Sequence, residues 1–290
     1  MPVSNARPHW LKKRLINSES TIRTSAVLAK FGVDTVCESA LCPNLNECFT
    51  NAHATFLILG SQCTRACGFC SVKKGIPPDV DDAEPCRVAE AVKFLGLKYV
   101  VLTSVTRDDL PDGGADQFAK VIGAIREISK GAKVEVLVPD FRGDINLVRK
   151  VLWANPEVFA HNIETVSRLY PVARSAASYQ RSLALLRNAK RISPKQIVKS
   201  GLMAGLGECS NEMIDTITDI AQTGCDILTI GQYLRPSMDN VAVERFVTPD
   251  EFDLYKKAGF AAGIREVVSG PFVRSSYRAG NIYDNLKIAG

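Results

Sequence analysis

The chain has 290 residues, of which 46% are hydrophobic and 23% charged, a composition typical of a globular protein with a large core. Lysine and arginine exceed aspartate and glutamate by only five (36 against 31) and form no dense block, so a nucleic-acid partner is not expected. No apolar run is long enough to span a membrane, so a membrane role is not expected either.

The first 53 residues are predicted to form an irregular extension. The chain begins without the apolar segment of a signal peptide, and its cysteine count, nine, is odd. Because structural disulfides are rare in reducing compartments, we expect a cytoplasmic protein. Three cysteines of the extension, Cys37, Cys42 and Cys48, have C-x4-C-x5-C spacing, which offers a site for an iron–sulfur cluster.

From Ala54 to Gly263, short apolar segments alternate with amphipathic ones. The predicted strands are Thr55–Leu59, Tyr99–Thr103, Val134–Val138, Val158–His161, Gln196–Lys199 and Ile227–Ile230. The predicted helices are Arg87–Leu95, Ala115–Ser129, Leu147–Ala154, Tyr179–Ala189, Glu212–Thr223 and one that begins near Thr248, where Glu251 completes a capping box. Six βα units predict an α/β fold with a parallel sheet, interpreted as a partial (β/α)6 TIM-like barrel; a doubly wound open sheet is the alternative. Residues 264–290 are predicted to form a C-terminal tail.

A second cysteine motif, Cys63-Thr-Arg-Ala-Cys67-Gly-Phe-Cys70, follows the first predicted strand of this region. Its C-x3-C-x2-C spacing provides three thiolates in one short loop, at the strand end where such folds carry their chemistry. Three ligands suit a 4Fe–4S cluster with one iron left open. Zinc is the rival, but a structural zinc site needs four ligands, and only Cys67 and Cys70 have paired spacing.

The other cysteines and the acidic loop have simpler interpretations. Cys86, Cys209 and Cys225 lack metal-ligand spacing and are predicted to be small buried side chains. The loop 108–114 contains three aspartates, a proline and two glycines, and is predicted to shape a turn rather than bind a metal.

The C-x3-C-x2-C motif after the first strand of a partial βα barrel resembles the radical S-adenosylmethionine (SAM) superfamily. Further motifs narrow the resemblance: the upstream triplet, Thr103-Ser-Val-Thr-Arg-Asp-Asp-Leu-Pro-Asp-Gly-Gly, His161-Asn-Ile-Glu-Thr, Lys199-Ser-Gly-Leu-Met-Ala-Gly-Leu-Gly-Glu and Arg274-Ser-Ser-Tyr277. Together they resemble the lipoyl synthase family, from about Arg7 to Tyr277.

The resemblance implies that Cys63, Cys67 and Cys70 are the catalytic ligands of a 4Fe–4S cluster. The open iron would bind SAM, and an electron passed to the sulfonium would give a 5′-deoxyadenosyl radical that abstracts hydrogen from an alkyl carbon. The residues predicted to bind SAM are Phe69, Ser104, Asn162, Glu164, Lys199 and Glu208. The structural alternatives are a core position for Phe69 and loop hydrogen bonds or helix caps for the polar residues.

The resemblance also implies a second 4Fe–4S cluster, on Cys37, Cys42 and Cys48, which is consumed as the sulfur donor. Its fourth ligand would be a serine of the Arg-Ser-Ser-Tyr motif, and we assign Ser276 rather than Ser275. A serine oxygen is a harder and weaker ligand for iron than a thiolate, so one iron would be held loosely and could leave.

The implied reaction inserts two sulfur atoms, at C6 and C8, into a protein-bound octanoyl-lysine chain, with one SAM consumed for each. The implied partners are octanoylated lipoyl carrier domains, namely the E2 subunits of 2-oxoacid dehydrogenases and the H protein of glycine cleavage. A one-electron donor such as ferredoxin or flavodoxin is also implied. Two alternatives remain: another radical SAM sulfur-inserting enzyme, such as a methylthiotransferase or a biotin synthase-like enzyme, and a non-catalytic iron–sulfur or zinc protein.

Overall fold

The computed structural model of the chain describes residues 7–12, 19–51 and 53–288. These residues form two compact units, each made of separate stretches of the chain. The amino-terminal unit comprises residues 19–51, 53–65 and 71–160, and the carboxyl-terminal unit comprises residues 7–12, 66–70 and 161–288. Within these stretches, no helix has both the length and the apolar character needed to cross a membrane.

The amino-terminal unit combines a mainly parallel sheet with helices. Its strands are β1 (Asp34–Thr35), β2 (Thr55–Ile58), β3 (Gln62–Cys63), β4 (Lys73–Lys74), β5 (Tyr99–Ser104), β6 (Lys133–Leu137) and β7 (Val158–Ala160). Its α-helices are α1 (Glu19–Phe31), α2 (Val36–Ser39), α3 (Leu45–Thr50), α4 (Glu84–Leu95), α5 (Ala115–Ile128) and α6 (Ile145–Trp153). Strands β2, β5, β6 and β7 pair in that order and in parallel, β1 pairs antiparallel with β2, and β3 and β4 form a separate two-stranded sheet.

The strands of this sheet are short and buried on both faces, as expected of parallel strands covered by helices. All four residues of β2 are buried, as are the middle four of β5. The loop after β5 turns at Gly114, which has a φ of +86°, and a Cβ there would lie 2.2 Å from a side-chain carbon of Leu59. Asp112 accepts hydrogen bonds from the N–H groups of Gly114 and Asp116, at 3.0 and 2.8 Å. The turn predicted for this acidic loop is therefore confirmed.

The carboxyl-terminal unit has three parallel strands, paired in the order β8, β9 and β10. The strands are β8 (Ile197–Ala204), β9 (Ile227–Gln232) and β10 (Glu266–Gly270). The α-helices are α7 (Tyr170–Ala173), α8 (Tyr179–Ile192), α9 (Ser210–Ala221), α10 (Pro249–Ala261) and α11 (Ala279–Ile288). Residues 161–164 run beside β8, because the N–H of His161 donates to the carbonyl of Lys199 and that of Glu164 donates to the carbonyl of Gly201.

All six predicted strands and all six predicted helices are present. The capping box at Thr248 and Glu251 is also confirmed. The fold is α/β with mostly parallel strands, as predicted for a partial (β/α)6 TIM-like barrel.

Three details of the prediction are wrong. The extension is not irregular in its described part, since α1 buries one face through residues such as Val27 and Leu28. The segment predicted as a tail adds a strand, β10, and a helix, α11, because Val267 and Leu286 are buried. Strand β8 continues past Lys199 as far as Ala204, so Lys199 lies inside the strand rather than at its end. Residues 1–6, 13–18, 52, 289 and 290 of the predicted extension and tail lie outside the described residues.

Candidate functional site

The upstream cysteines lie on two short helices and the loop between them. Cys37 is in α2, Cys48 is in α3, and Cys42 lies between the two. The loop is held by local backbone bonds: the N–H of Cys42 donates to the carbonyl of Cys37 at 3.0 Å, and the N–H of Leu45 donates to the carbonyl of Cys42 at 3.1 Å. Thr35 accepts the N–H of Glu38 at 3.3 Å and so caps α2. Bonds within a few residues thus set the path of this loop, and a longer bond, from the hydroxyl of Thr24 to the carbonyl of Phe49 at 2.8 Å, anchors α3.

None of the three upstream cysteines forms a disulfide. Burial raises the pKa of Cys37 to about 11, and the neighbouring Cys42 adds to the shift. A buried thiol loses its proton when a metal binds it, so this donor set fits a soft, positively charged group such as an iron–sulfur cluster. The segment that follows Cys70 also contacts this region, because the hydroxyl of Ser71 donates to the carbonyl of Ser39 at 2.8 Å.

Cys63 ends strand β3, which pairs with β4, and its carbonyl accepts the N–H of Gly75 at 3.0 Å. The sulfur of Cys63 accepts two backbone N–H groups, from Arg65 at 3.4 Å and from Thr106 at 3.3 Å. N–H donors of this kind suit a sulfur that carries negative charge, as a cluster ligand does.

Cys67 and Cys70 belong to the carboxyl-terminal unit, where Gly68 anchors the loop between them. The N–H of Gly68 donates to the carbonyl of Ala173 at 2.9 Å. The carbonyl of Gly68 accepts the N–H of Val241 at 3.0 Å and the side-chain amide of Asn240 at 3.1 Å. The same Asn240 amide donates to the carbonyl of Cys70 at 3.0 Å. Bonds from distant parts of the sequence therefore fix this loop.

Only glycine fits at position 68. A Cβ there would lie 2.6 Å from a methyl carbon of Val241 and 2.7 Å from the carbonyl oxygen of Val172. Real Cβ atoms do not approach so closely, so any larger residue would displace the loop between the two cysteines.

Two predicted SAM-binding residues, Asn162 and Glu164, lie together beside β8. The amide nitrogen of Asn162 donates to Glu164 Oε1 at 3.1 Å, and its amide oxygen accepts the hydroxyl of Ser275 at 3.0 Å. Glu164 has a φ of +70°, an unusual conformation for a residue with a side chain, and such strain is often found at functional sites. Burial raises the pKa of Glu164, while the charge of Arg174 opposes the rise.

Arg174 is a site residue that the sequence analysis missed. Its Nη1 donates to the carbonyl of Asn162 at 2.8 Å, whereas its Nε is buried and has no hydrogen-bond partner among the described residues. Burial alone would lower the pKa of Arg174, but the interactions with Tyr170 and Glu164 outweigh this effect and raise it. Cys67 is near enough to contribute to the same shift. No motif marked this arginine, because only folding brings it to Cys67 and Glu164.

The other predicted SAM-binding residues differ in their surroundings. Phe69 is half-buried, which is neither a core position nor an exposed one. Ser104 ends β5, and its hydroxyl is buried without a hydrogen-bond partner among the described residues. The side chain of Lys199 is fully buried within β8. Both carboxylate oxygens of Glu208 accept backbone N–H groups, at 2.5 and 2.9 Å, within the loop after β8.

Two of the three lone cysteines are not buried as predicted. Cys86 is exposed, and Cys209 is exposed as the N-cap residue of α9, where a helix end offers little cover. Cys225 is buried, as predicted, and its thiol donates to the carbonyl of Ile227 at 3.2 Å. Burial raises the pKa of Cys225 to about 12.

The donor set suits iron–sulfur clusters by its chemistry, because thiolate is the soft ligand that such clusters need. Among residues 7–12, 19–51 and 53–288, no group of three His, Cys, Asp or Glu side chains is placed to hold a single metal ion. Two triplets of cysteines that form no disulfide suit two clusters.

Comparisons with known proteins identify the family of this chain. Residues 57–220 match the family model of the radical SAM superfamily. The chain is 51% identical to a lipoyl synthase of Caldanaerobacter subterraneus subsp. tengcongensis, over 94% of this chain and 95% of that protein. It is 49% identical to a lipoyl synthase of Thermus thermophilus, over 97% of this chain and 88% of that protein.

Solved structures confirm the fold. Methylornithine synthase matches 95% of this chain and 90% of its own, with a TM-score of 0.54 and 15% identity. SuiB of Streptococcus suis, bound to its precursor peptide, matches 92% of this chain and 58% of its own, with a TM-score of 0.57 and 11% identity. The chain therefore belongs to the lipoyl synthase family of the radical SAM superfamily, whose cofactors are SAM and 4Fe–4S clusters.

Proposed function

We propose that this protein inserts two sulfur atoms, at C6 and C8, into an octanoyl chain carried on a lysine of a partner protein. One observation carries the proposal: a single chain of this family holds two three-cysteine motifs in which none of the six cysteines forms a disulfide. A protein that only transfers electrons would not need a βα scaffold of this size.

In this proposal Cys63, Cys67 and Cys70 hold the catalytic cluster, and nearby side chains bind SAM. When bound, the cluster supplies the one-electron reductive cleavage of SAM. The carboxylate of Glu164 and the amide of Asn162 are suited to ribose hydroxyls or to the amino group of SAM. The unpartnered Nε of Arg174 is suited to a carboxylate. Half-buried Phe69 and the free hydroxyl of Ser104 complete the proposed contacts.

Two other candidates for SAM binding have less support. The carboxylate of Glu208 is already bonded twice to backbone N–H groups, which supports a role in shaping the loop after β8. Lys199 lies in the interior of β8, and its side chain is fully buried, which supports a structural role more than direct contact with SAM.

We propose that Cys37, Cys42, Cys48 and Ser276 hold the second cluster and that this cluster donates the sulfur. We keep Ser276 as the ligand, and note that the hydroxyl of its neighbour Ser275 donates to Asn162. A test compares Ser276→Ala with Ser275→Ala for sulfur insertion. We expect Ser276→Ala to slow the insertion more than Ser275→Ala does, and the reverse order would reassign the ligand.

The proposed substrates are octanoylated lipoyl carrier domains, from the E2 subunits of 2-oxoacid dehydrogenases or from the H protein of glycine cleavage. Such domains tend to be acidic, and the net charge of +5 on this chain favours their approach. We propose ferredoxin or flavodoxin as the electron donor and the cytoplasm as the location, where free thiols and exposed clusters are maintained.

The proposal is tested by an anaerobic assay with an octanoylated peptide, in which 5′-deoxyadenosine and peptide mass are followed together. We expect two molecules of 5′-deoxyadenosine for each lipoyl group formed and about eight irons per reconstituted chain. If the chain cleaves SAM but leaves the mass of the peptide unchanged, another radical SAM activity is present. If it binds zinc without a visible chromophore, the enzymatic proposal is wrong.

A further inference from the structure

Arg65 lies between the first two cysteines of the C-x3-C-x2-C motif, and its side chain is almost fully buried. Its Nε and Nη2 donate to the two carboxylate oxygens of Asp108, at 2.6 and 2.8 Å. Nη2 also donates to Asp140 at 2.8 Å. The exposed fractions of the Arg65 and Asp140 side chains are 6% and 0%. The guanidinium of Arg65 thus lies between two carboxylates within the amino-terminal unit. We call Arg65, Asp108 and Asp140 the Arg65 clamp.

The charges of this clamp are balanced. Arg142 adds a second cation, because its Nη2 donates to the carbonyl of Asp108 at 2.6 Å and its Nε lies 3.3 Å from the Asp108 carboxylate. Two arginines therefore meet two aspartates. Burial alone would lower the pKa of Arg65, but the hydrogen bonds to Asp108 and Asp140 raise it, so Arg65 stays charged.

A buried ion pair is weak evidence of stability, because apolar side chains of similar volume often stabilise a core as well. The geometry of the clamp indicates a second role, which is to position the backbone. A bidentate bond between arginine and a carboxylate fixes the orientation of the two planar groups relative to each other and the distance between them. It therefore fixes the backbone segments that carry them.

These two segments also carry the hydrogen bonds to the sulfur of Cys63. The N–H and the hydroxyl of Thr64 both donate to the carbonyl of Thr106, at 3.1 and 2.9 Å. The N–H of Asp108 donates back to the hydroxyl oxygen of Thr64 at 3.1 Å. The N–H groups of Arg65 and Thr106 then reach the Cys63 sulfur at 3.4 and 3.3 Å. Both donors lie within two residues of the Arg65–Asp108 pair.

We propose that Arg65 is a positioning residue that holds two backbone N–H donors on the sulfur of Cys63 and so organises this ligand for the cluster. The inference deepens the proposed function and rests on it, since the bound group is the catalytic cluster. Hydrogen bonds to a ligand sulfur favour the more negative, reduced state of a cluster and raise its reduction potential. Partners that orient a metal ligand typically change metal affinity by about 10- to 100-fold.

The test uses the full-length chain with Cys37, Cys42 and Cys48 all changed to Ala, so that the iron measured belongs to one cluster. Arg65→Lys keeps the charge near Asp140 but removes the bidentate geometry. We expect about tenfold faster iron loss to a ferrous chelator and a more negative reduction potential in an EPR-monitored titration. The potential is the critical measurement, because a purely structural role would not shift it.

The matched control is Arg126→Lys in the same unit. Nη2 of Arg126 lies 3.3 and 3.4 Å from the oxygens of Glu157, which also accepts the N–H of Val134 near the start of β6. This pair lies at the opposite end of the strands from the cysteine motif. We expect Arg126→Lys to leave the potential and the rate of iron loss unchanged.

A second variant separates positioning from stability. Arg65→Met combined with Asp140→Leu removes the buried pair, while the Asp108 carboxylate keeps its contact with Arg142 at 3.3 Å. We expect the melting temperature of this variant to be close to that of its parent, with iron loss still fast. Unchanged iron loss and potential in Arg65→Lys would overturn the inference while the proposed function stands. A parent that binds no cluster would overturn the proposed function, and the inference with it.

Discussion

The two cysteine triplets are built in contrasting ways. The upstream triplet lies on short helices whose backbone bonds span only a few residues, such as that from Cys42 to Cys37, and side-chain bonds from Thr24 to Phe49 and from Ser71 to Ser39 span 25 and 32 residues. The downstream motif is held by bonds to segments far along the chain. Arg65 bonds to Asp140, 75 residues away, and Asn240 bonds to Gly68, 172 residues away.

This contrast matches the roles proposed for the two clusters. A cluster that must cleave SAM repeatedly benefits from ligands that distant segments hold in place, since catalysis requires fixed geometry. A cluster that is consumed and rebuilt must release iron and sulfur, and a site on two short helices, held by bonds over shorter stretches of the chain, suits that role.

Cys67→Ala should abolish SAM cleavage. The variant loses one of the three cysteines of the downstream motif, and a cluster held by two thiolates lacks a ligand for a second iron. The measurement is 5′-deoxyadenosine formed under anaerobic conditions with a chemical reductant. The control is Cys86→Ala, which removes an exposed cysteine outside both triplets and should keep full activity. Formation of 5′-deoxyadenosine at the normal rate by the Cys67 variant would contradict the assignment.

Cys42→Ala should still cleave SAM but make no sulfur-containing product, because it damages only the upstream triplet. Mass spectrometry of the octanoylated peptide, run on the same samples as the 5′-deoxyadenosine assay, separates the two outcomes. Normal production of lipoyl groups would show that the upstream cysteines do not supply sulfur.

Gly68→Ala should lower the rate of SAM cleavage by about a hundredfold, because a displacement of about 1 Å at a catalytic ligand has effects of that size. Its added methyl group would lie 2.6 Å from a carbon of Val241. Gly123→Ala is the matched control, since nothing lies within 4 Å of a Cβ at that position in α5. We expect the control to react at the normal rate, and an equal rate in both variants would remove the case for a rigid downstream loop.

Thr35→Ala should have the smallest effect. It removes the cap of α2, the helix that carries Cys37, and such caps contribute about 1 kcal/mol. Thr35→Ser keeps the hydroxyl and serves as the control. We expect the alanine variant to lose iron from the upstream cluster faster while it cleaves SAM normally. A loss of SAM cleavage as large as the loss of upstream iron would show that the two sites are not independent.

The sequence determined the features that depend on neighbouring residues. Apolar runs bounded by turn residues predicted all six core strands, and helical periodicity with capping residues predicted the helices that follow them. Cysteine spacing identified both triplets, because ligands of one cluster on a short loop must lie close together in the chain. The turn at Asp112 and the helix cap at Thr248 could be predicted because each also depends on residues that are close together in the sequence.

Tertiary structure alone decided the features that join distant residues. Nothing in the sequence marked Arg174, which reaches Asn162 and Glu164 only after α7 folds against them. Strand β10 forms because β9 is available to pair with it, and the Arg65 clamp needs carboxylates from two separate loops. Hydrogen bonds and ion pairs act over a few ångströms, so their partners are set by the folded path of the chain and not by its order.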